Sequence, residues 1–189
     1  MRLNSIRELS GLKPVLMDPQ ATGVDPAYWV FGEITPDKWA NLTVTAPGKI
    51  GDEYPKTFGH YHSTQVNETY HLISGHAVLI LQKKHYENGS WTPEMVDEVL
   101  LVKLGPGDEV VIHPQYGHAL VNTGAEPLLT YDDWRAGHLP SDYEQIEKLQ
   151  GLAYYITEVN GQPQAVPNPR YKNLPIPIWS TPPELSFEE

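Results

Sequence analysis

The feature that most constrains the fold is a series of short apolar runs separated by turn residues. The 18 prolines and 15 glycines are spread between these runs, so they indicate turns and not disorder. Short strands with a turn every 8 to 12 residues or so are typical of an all-β sandwich or barrel. The runs that predict strands lie at residues 28–34, 41–46, 69–82, 99–104, 110–112, 119–121 and 128–131.

Turn and cap residues indicate two hairpins and one helix. Ser74-Gly75 and Asn160-Gly161 are dipeptides that favour tight turns, so each predicts a β-hairpin. Ser141 followed by Glu144 has the form of a capping box, and Gly151 stands where a helix would end. The sequence therefore predicts a short helix over residues 141–151.

The length is that of one domain with extensions. A chain of 189 residues and 21.3 kDa is long enough for one well-packed core. We divide it into an N-terminal extension at 1–26, a barrel domain at 27–166 and a proline-rich tail at 167–189. The extension contains a short amphipathic piece at 5–12. Prolines keep the tail from forming a regular helix or a central strand, so we expect it to wrap over the surface or over a partner subunit.

Composition narrows the classes of partner and compartment. With 13 basic and 24 acidic residues the formal net charge is −11, a field that repels phosphate backbones and anionic lipid. We therefore expect neither nucleic acid nor a membrane as a partner. No apolar run approaches the roughly 18 residues of a membrane span, and the N-terminus lacks the apolar core of a signal peptide, so we expect a cytoplasmic protein. The absence of cysteine excludes disulfides, thiolate metal sites and a cysteine nucleophile.

Three histidines and one glutamate are the strongest candidates for chemistry. His60 and His62 are two residues apart, so on a strand both imidazoles lie on one face. Glu68 follows after a gap long enough for a bend, and His118 follows a predicted turn. Such a set suits a transition-metal site with open positions for substrate oxygens. The alternative is a chance pair of exposed or core histidines. We interpret four further histidines as ordinary residues: His71, His76, His85 and His113. His71 has the wrong strand parity to face the site.

The same segments resemble the two motifs of the cupin superfamily. The first is Gly-His-x-His with Glu68, and the second combines the turn at 105–108 with 114–118 and the Asn-Thr-Gly that follows. At closer range the chain resembles the cupin-type phosphoglucose isomerases over roughly residues 27–172. The segments with the most specific similarity are 47–62, 68–82 and 113–127.

The resemblance implies a small cupin barrel (a double-stranded β-helix, or jelly roll) with a few short helices, usually assembled as a homodimer. It implies one divalent ion per subunit, which is iron, manganese, nickel or zinc, and the interconversion of glucose 6-phosphate and fructose 6-phosphate. The positions that match the family's metal ligands are His60, His62, Glu68 and His118. The positions that match its phosphate-binding residues are Thr43, Thr57, Gly59 and Tyr70, and Tyr131 is the candidate for a further tyrosine near the phosphate.

The roles in catalysis stay open between several alternatives. Glu68 is the base if it leaves the metal when substrate binds, and otherwise a plain ligand. His138 is the candidate for opening the sugar ring. Lys49 is either a cation near the phosphate or a surface residue. Proton transfer through an enediol and direct hydride shift both fit the reaction. Other functions on the same fold are a metal-dependent oxygenase or epimerase, and a sugar-phosphate-binding cupin without activity.

Overall fold

A computed structural model gives the fold, and it describes residues 1–182. This part of the chain contains two α-helices, α1 (Leu9–Leu12) and α2 (Pro140–Lys148), and a 3₁₀ turn at Lys13–Val15. Its strands are β1 (Arg2–Arg7), β2 (Tyr28–Gly32), β3 (Asn41–Thr45), β4 (Glu68–Ser74), β5 (Ala77–Glu87), β6 (Ser90–Leu104), β7 (Glu109–Ile112), β8 (Tyr116–Asn122), β9 (Leu128–Asp132), β10 (Tyr154–Val159), β11 (Gln162–Pro167) and β12 (Ile178–Ser180).

The predicted all-β fold is confirmed, and most of its strands form two packed sheets. The six-stranded sheet has the order β1-β2-β3-β9-β4-β7, and the four-stranded sheet has the order β12-β6-β5-β8. β10 and β11 form a separate hairpin. One apolar core lies between the two sheets, because facing side chains of both contribute to it. Its buried members include Leu72, Leu79, Leu81, Val102, Ile112, Leu120 and Leu128.

The four-stranded sheet is covered on both faces, which explains the continuous apolar sequence of β5. Residues 77–82 of β5 are all buried, although only alternate side chains face the six-stranded sheet. The others pack in a second core against α1, the 3₁₀ turn, α2 and β10. A strand buried on both faces has no polar face, so it has no alternation of polar and apolar residues. Within residues 1–182, no helix is long and apolar enough to span a membrane.

Of the two predicted hairpins, one forms and the other does not. Asn160-Gly161 joins the antiparallel β10 and β11, and both residues have positive φ, so this hairpin prediction is confirmed. The hairpin predicted at Ser74-Gly75 is wrong. β4 before it pairs with β7 and β9 in the six-stranded sheet, whereas β5 after it pairs with β6 and β8 in the other. The two strands differ in burial: β5 is apolar and buried on both faces over residues 77–82, whereas β4 carries half-buried residues along much of its length.

The predicted helix is present, but its N-cap is different. α2 begins at Pro140, and the Asp142 carboxylate accepts the Leu139 N–H at 2.8 Å, so the predicted capping box of Ser141 and Glu144 does not form. At the other end the Gly151 N–H donates to the Ile146 carbonyl at 2.8 Å, which terminates the helix close to the predicted position.

The two ends of the chain both add edge strands. The amphipathic piece predicted at 5–12 divides between the end of β1, which pairs with β2, and α1. In the tail, β12 pairs in parallel with β6 at the edge of the four-stranded sheet, in agreement with the expectation that no central strand forms there. The tail prediction also covers residues 183–189, which lie outside the described residues. The division of the chain into extension, barrel and tail stays a prediction.

Candidate metal centre

A short extended segment brings the histidine pair beside His118. Residues 56–60 run along the free edge of β8, and the backbone N–H and C=O of His60 exchange hydrogen bonds with those of His118 at 3.1 and 2.9 Å. Tyr61, between the two histidines, packs on Gly117, where a Cβ atom would lie 2.6 Å from the tyrosine ring. The absence of a side chain at Gly117 therefore allows the segment to approach β8 closely.

The four predicted metal ligands come together in one buried cluster. His60, His62, Glu68 and His118 each offer a ligand atom, and these atoms all lie within 4.8 Å of one another. The Nε2 atoms of His60 and His62 are 3.0 Å apart. Glu68 Oε2, from β4, is 3.3 Å from His62 Nε2 and 3.1 Å from His118 Nε2. Since β4 and β8 belong to different sheets, the cluster lies between the sheets.

The donor set fits a divalent transition metal. Glu68 Oε2 and His118 Nε2 are buried and have no hydrogen-bond partner among the described residues, although the two atoms are only 3.1 Å apart. Such groups are costly to bury unless a further species satisfies them. Three imidazoles and one carboxylate are ligands that iron, manganese, nickel and zinc accept. The residues present therefore fit the ion that the resemblance implies.

Protonation favours coordination at two of the four ligands. Burial lowers the pKa of His60 well below its ordinary value, and the neighbouring His118, His138 and His62 lower it further, so its ring is neutral and has a free lone pair. Burial by itself would raise the pKa of Glu68, but contacts with His118 and His62 outweigh it and lower the pKa to about 2. Glu68 is therefore a carboxylate at neutral pH.

A cavity of about 470 Å³ opens beside the cluster, which is a volume suited to a small metabolite. The inner face of the six-stranded sheet forms one wall, and residues 57–60 with the loop before α2 form the other. The predicted site residues that line this cavity are Thr43, Thr57, Gly59, His60, Glu68, Tyr70 and His138. Most of the predicted substrate contacts therefore lie around one space.

Two further candidates do not reach the cavity. Tyr131 stacks on Trp39, 5.8 Å between ring centroids, on the opposite face of the six-stranded sheet. Its neighbour Asp132 lines the cavity instead, because successive side chains of β9 point to opposite faces. Lys49 is also elsewhere, in an ion pair with Glu158 at 3.1 Å. His71 stacks on Trp39 as well, so it faces away from the site as its parity predicted.

His138 and Tyr70 lie next to the predicted metal ligands. The His138 ring centroid is 4.0 Å from that of His60, and its Nδ1 is 3.8 Å from Asp142 Oδ2. Burial is the main reason that the pKa of His138 is lowered. Tyr70 meets His118 edge to face at 5.5 Å, and burial raises its pKa, so its hydroxyl keeps its proton. Both side chains can exchange hydrogen bonds with a ligand in the cavity.

Sequence reasoning missed several residues of the cavity wall. The most informative is Asp132, a buried carboxyl whose Oδ1 accepts hydrogen bonds from Asn41 Nδ2 at 2.7 Å and from the Trp134 N–H at 3.1 Å. Trp134 in turn stacks on the ring of His62, a predicted metal ligand, at 3.8 Å between centroids. The alternation of side chains along β9 could have indicated that Asp132 faces the cavity. That prediction also requires the register in which β9 pairs with β4. The other missed lining residues include Arg7, Tyr28 and Tyr143.

A family model and the relatives found by sequence agree on one family. Residues 6–171 match the family model described as glucose-6-phosphate isomerase (GPI). The glucose-6-phosphate isomerase of Thermococcus kodakarensis is 34% identical over 179 residues, 88% of this chain and 87% of that protein. The glucose-6-phosphate isomerase of Pyrococcus horikoshii is 32% identical over 181 residues, 89% of this chain and 88% of that protein. Among solved structures, the Drosophila melanogaster CENP-C cupin domain matches with a TM-score of 0.39 and 10% identity, covering 60% of this chain and 74% of that one.

Proposed function

The chain belongs to the glucose-6-phosphate isomerase family, and we propose that it interconverts glucose 6-phosphate and fructose 6-phosphate on one divalent metal ion held by four of its side chains. The observation that supports the metal site is the convergence of His60, His62, Glu68 and His118 within 4.8 Å. Iron, manganese, nickel and zinc are the candidate ions, since each accepts imidazole and carboxylate ligands. The ion would act as a Lewis acid on the oxygens at C1 and C2 of the sugar.

In this proposal Glu68 is a ligand and not the catalytic base. In the chain without an ion, contacts with His118 and His62 lower the pKa of Glu68 to about 2, so its carboxylate is a weak base there. The same low pKa keeps Glu68 ionised and ready to coordinate. Of the two roles that the sequence left open for Glu68, the electrostatics of the site favour coordination.

His138 is proposed to transfer the proton when the sugar ring opens. Its ring lies on the cavity wall next to His60, and its lowered pKa leaves it neutral at pH 7. A neutral imidazole can take the proton of the anomeric hydroxyl and return it to the ring oxygen. Asp142, 3.8 Å from His138 Nδ1, would stabilise the imidazolium that forms in between.

The phosphate is proposed to lie at the Thr43, Thr57 and Gly59 end of the cavity. Gly59 directly precedes the ligand His60, and Thr57 is two residues further back. A phosphate held there would leave the C1–C2 end of the sugar near the metal ligands. Tyr70, next to His118, is nearer to the sugar end, where its hydroxyl would contact substrate oxygens.

The test is a coupled assay of fructose 6-phosphate conversion to glucose 6-phosphate. The protein is treated with a chelator and then supplied with Mn²⁺, Fe²⁺, Ni²⁺ or Zn²⁺. We expect activity to disappear on chelation and to return with at least one ion. His62→Ala should remain inactive with every ion, whereas His76→Ala, a histidine on an exposed turn, should behave like the wild type.

Other outcomes would point to the alternative functions. Binding of sugar phosphate without turnover in any metal-loaded sample would favour a binding cupin. Oxygen consumption that depends on iron would favour an oxygenase. Full activity in the chelated protein would contradict the proposed metal dependence.

A homodimer and a cytoplasmic location belong to the same proposal. The dimer is implied by the family resemblance, and the structure offers two exposed apolar surfaces for a second copy. One is the outer side of the six-stranded sheet, and the other is the tail around Ile176 and Ile178, which are 88% and 54% exposed. The cytoplasm is proposed because a hexose phosphate is a dianion that does not cross a bilayer unaided.

A further inference from the structure

One cation on the cavity wall, Arg7 of β1, lies outside the metal centre. Its Nε–H donates to Tyr28 Oη at 3.2 Å, and its Nη1 makes a long contact of 3.5 Å with the Gly11 carbonyl. Its Nη2 donates to no acceptor in residues 1–182. No carboxylate of these residues forms an ion pair with Arg7 either, so its charge is not neutralised by the described chain.

The position of Arg7 places this charge beside the proposed phosphate residues. Its guanidinium carbon lies 5.2 Å from the centroid of the Phe58 ring. Phe58 stands between Thr57 and Gly59 in the sequence, and all three line the same cavity as Arg7. The guanidinium is therefore next to the segment on which we have placed the phosphate.

The hydroxyl groups around Arg7 are arranged as donors. Tyr28 Oη accepts from Arg7 Nε and, at 3.4 Å, from the Phe58 N–H. Thr57 Oγ1 accepts the Leu120 N–H at 2.9 Å. Since neither hydroxyl donates to an acceptor among residues 1–182, each hydroxyl hydrogen is left to donate to a ligand. The Gly59 N–H also donates to no acceptor among the described residues. These donors suit an anion.

The charge balance of the cavity requires a cation for such a ligand. The chain has a net charge of −11, and Glu33, Glu68 and Asp132 line the cavity. The ion proposed at the metal centre would offset part of this charge at the C1–C2 end of the sugar, and a cation beside the phosphate would offset the remainder. A guanidinium matches phosphate because it can donate two parallel hydrogen bonds to it. The other arginine of the cavity wall, Arg135, is exposed and donates to the Thr35 carbonyl at 3.1 Å.

We infer that Arg7 binds the phosphate group of the substrate through its guanidinium and orients the Tyr28 hydroxyl toward the same group. The inference rests on the proposed function, since it takes a sugar phosphate as the ligand. It assigns part of the substrate site to β1, a strand at the edge of the six-stranded sheet.

The experiment compares Arg7→Gln with Arg135→Gln in the metal-loaded protein. The first measurement is kcat/KM for fructose 6-phosphate, and the second is the affinity for inorganic phosphate by calorimetry and by competitive inhibition. For Arg7→Gln we expect both to fall by roughly 10- to 100-fold, the loss typical of a charged hydrogen bond. For Arg135→Gln we expect less than about a two-fold change. Metal content and far-UV circular dichroism confirm that each variant is folded and loaded.

Several results would overturn the inference. Unchanged phosphate affinity in a folded Arg7→Gln variant would mean that Arg7 only packs on Phe58 and Tyr28. A large loss in Arg135→Gln alone would assign the phosphate to that residue. If Arg7→Gln does not fold, Arg7→Lys replaces it, since it keeps the charge and loses the paired donors. We then expect phosphate affinity to fall several-fold, and an unchanged affinity would again contradict the role.

The two readouts separate this inference from the proposed function. If the wild type binds phosphate and Arg7→Gln does not, but no metal restores isomerase activity, Arg7 is an anion-binding residue and the proposed function is wrong. If the wild type is active and Arg7→Gln has the same kcat/KM and phosphate affinity, the proposed function holds and the inference about Arg7 fails.

Discussion

Two carboxyl groups on the cavity wall, those of Glu68 and Asp132, have very different pKa values. Contacts with imidazoles keep the pKa of Glu68 at about 2. Burial raises the pKa of Asp132 to about 7, and the nearby negative charge of Glu68 adds to the shift. Asp132 Oδ2 accepts no hydrogen bond from the described chain, whereas Oδ1 accepts two. The pair therefore divides into one group suited to bind a cation and one that can hold a proton near neutral pH.

Asp132 should make the metal-free protein less stable as the pH rises. Its pKa is about 7 in the folded chain and near the ordinary 3.8 in the unfolded chain, so unfolding releases a proton between these values. The cost is absent below about pH 4 and complete above about pH 7. In Asp132→Asn, which keeps an oxygen for Asn41 and Trp134, the free energy of unfolding should decline less between pH 5 and pH 8, by about 2 kcal/mol. Urea denaturation of chelated protein at both pH values measures this, and parallel pH dependences of the two proteins would contradict it.

Three of the four candidate metal ligands could be predicted from the sequence because their pattern is local, whereas His118 lies far along the chain. The His-x-His spacing and a glutamate shortly after it are visible without knowledge of the fold. Asp132 and Arg7 were out of reach for a different reason. Each faces the cavity only because its strand pairs in a particular register, β9 with β4 and β1 with β2. Tyr131 and Asp132 are adjacent on β9 and point to opposite faces of the sheet, so an error of one residue in the register exchanges them. The sequence alone does not determine that register.

At the scale of elements, strand positions were easier to predict than strand partners. Local composition gave most strands and the two-residue turn at Asn160-Gly161. It failed at Ser74-Gly75, where the chain moves from one sheet to the other. It also missed β1, a mostly exposed edge strand with polar residues at Asn4 and Ser5. Pairing between distant strands depends on burial across the whole domain, which local patterns do not contain.

The close approach of the histidine segment to β8 can be tested at Gly117. A methyl group there would lie 2.6 Å from the Tyr61 ring, so Tyr61 and the segment that contains His60 and His62 must move. We expect Gly117→Ala to reduce the free energy of unfolding by about 1–3 kcal/mol, as overpacking does, and to weaken metal affinity. Thermal unfolding and calorimetric metal titration measure the two effects.

Gly124→Ala is the matched control for this substitution. A methyl group at Gly124 would have ordinary contacts, the nearest at 3.4 Å from the His76 nitrogen. We expect little change in stability and none in metal affinity. Equal metal affinity in Gly117→Ala and the wild type would show that the segment does not need this close packing.

At the scale of the whole molecule, the two sheets differ in how well they are covered. The four-stranded sheet is buried on both sides, but among residues 1–182 the six-stranded sheet has an apolar outer face that is only partly covered, by Trp39 on Tyr131. This outer sheet face consists of half-buried or exposed side chains that alternate with those of the cavity wall. They are Leu3, Ile6, Trp29, Phe31, Leu42, Val44, Leu129 and Tyr131. A continuous apolar face of this kind is typical of an interface.

We expect a second copy of the chain to cover this outer sheet face. Val44 lies near its middle, between Trp29 and Leu129 on the neighbouring strands. Light scattering after gel filtration should give twice the chain mass of 21.3 kDa for the wild type and a single chain mass for Val44→Glu. Ile176→Glu, in the exposed tail, should leave the dimer intact. Dissociation by the tail substitution alone would place the interface there, and a monomeric wild type would contradict the dimer.

The four candidate ligands come from different segments of the chain, and this has a consequence for the stability of the fold. His60 and His62 come from an extended segment, Glu68 from β4 of one sheet, and His118 from β8 of the other. An ion bound by all four would join these three stretches of the backbone and close the long loop of the unfolded chain between Glu68 and His118. Since the sequence has no cysteine, no disulfide can do this. The same ion would then act as a cross-link between the two sheets. Its removal would lower the free energy of unfolding as well as empty the site.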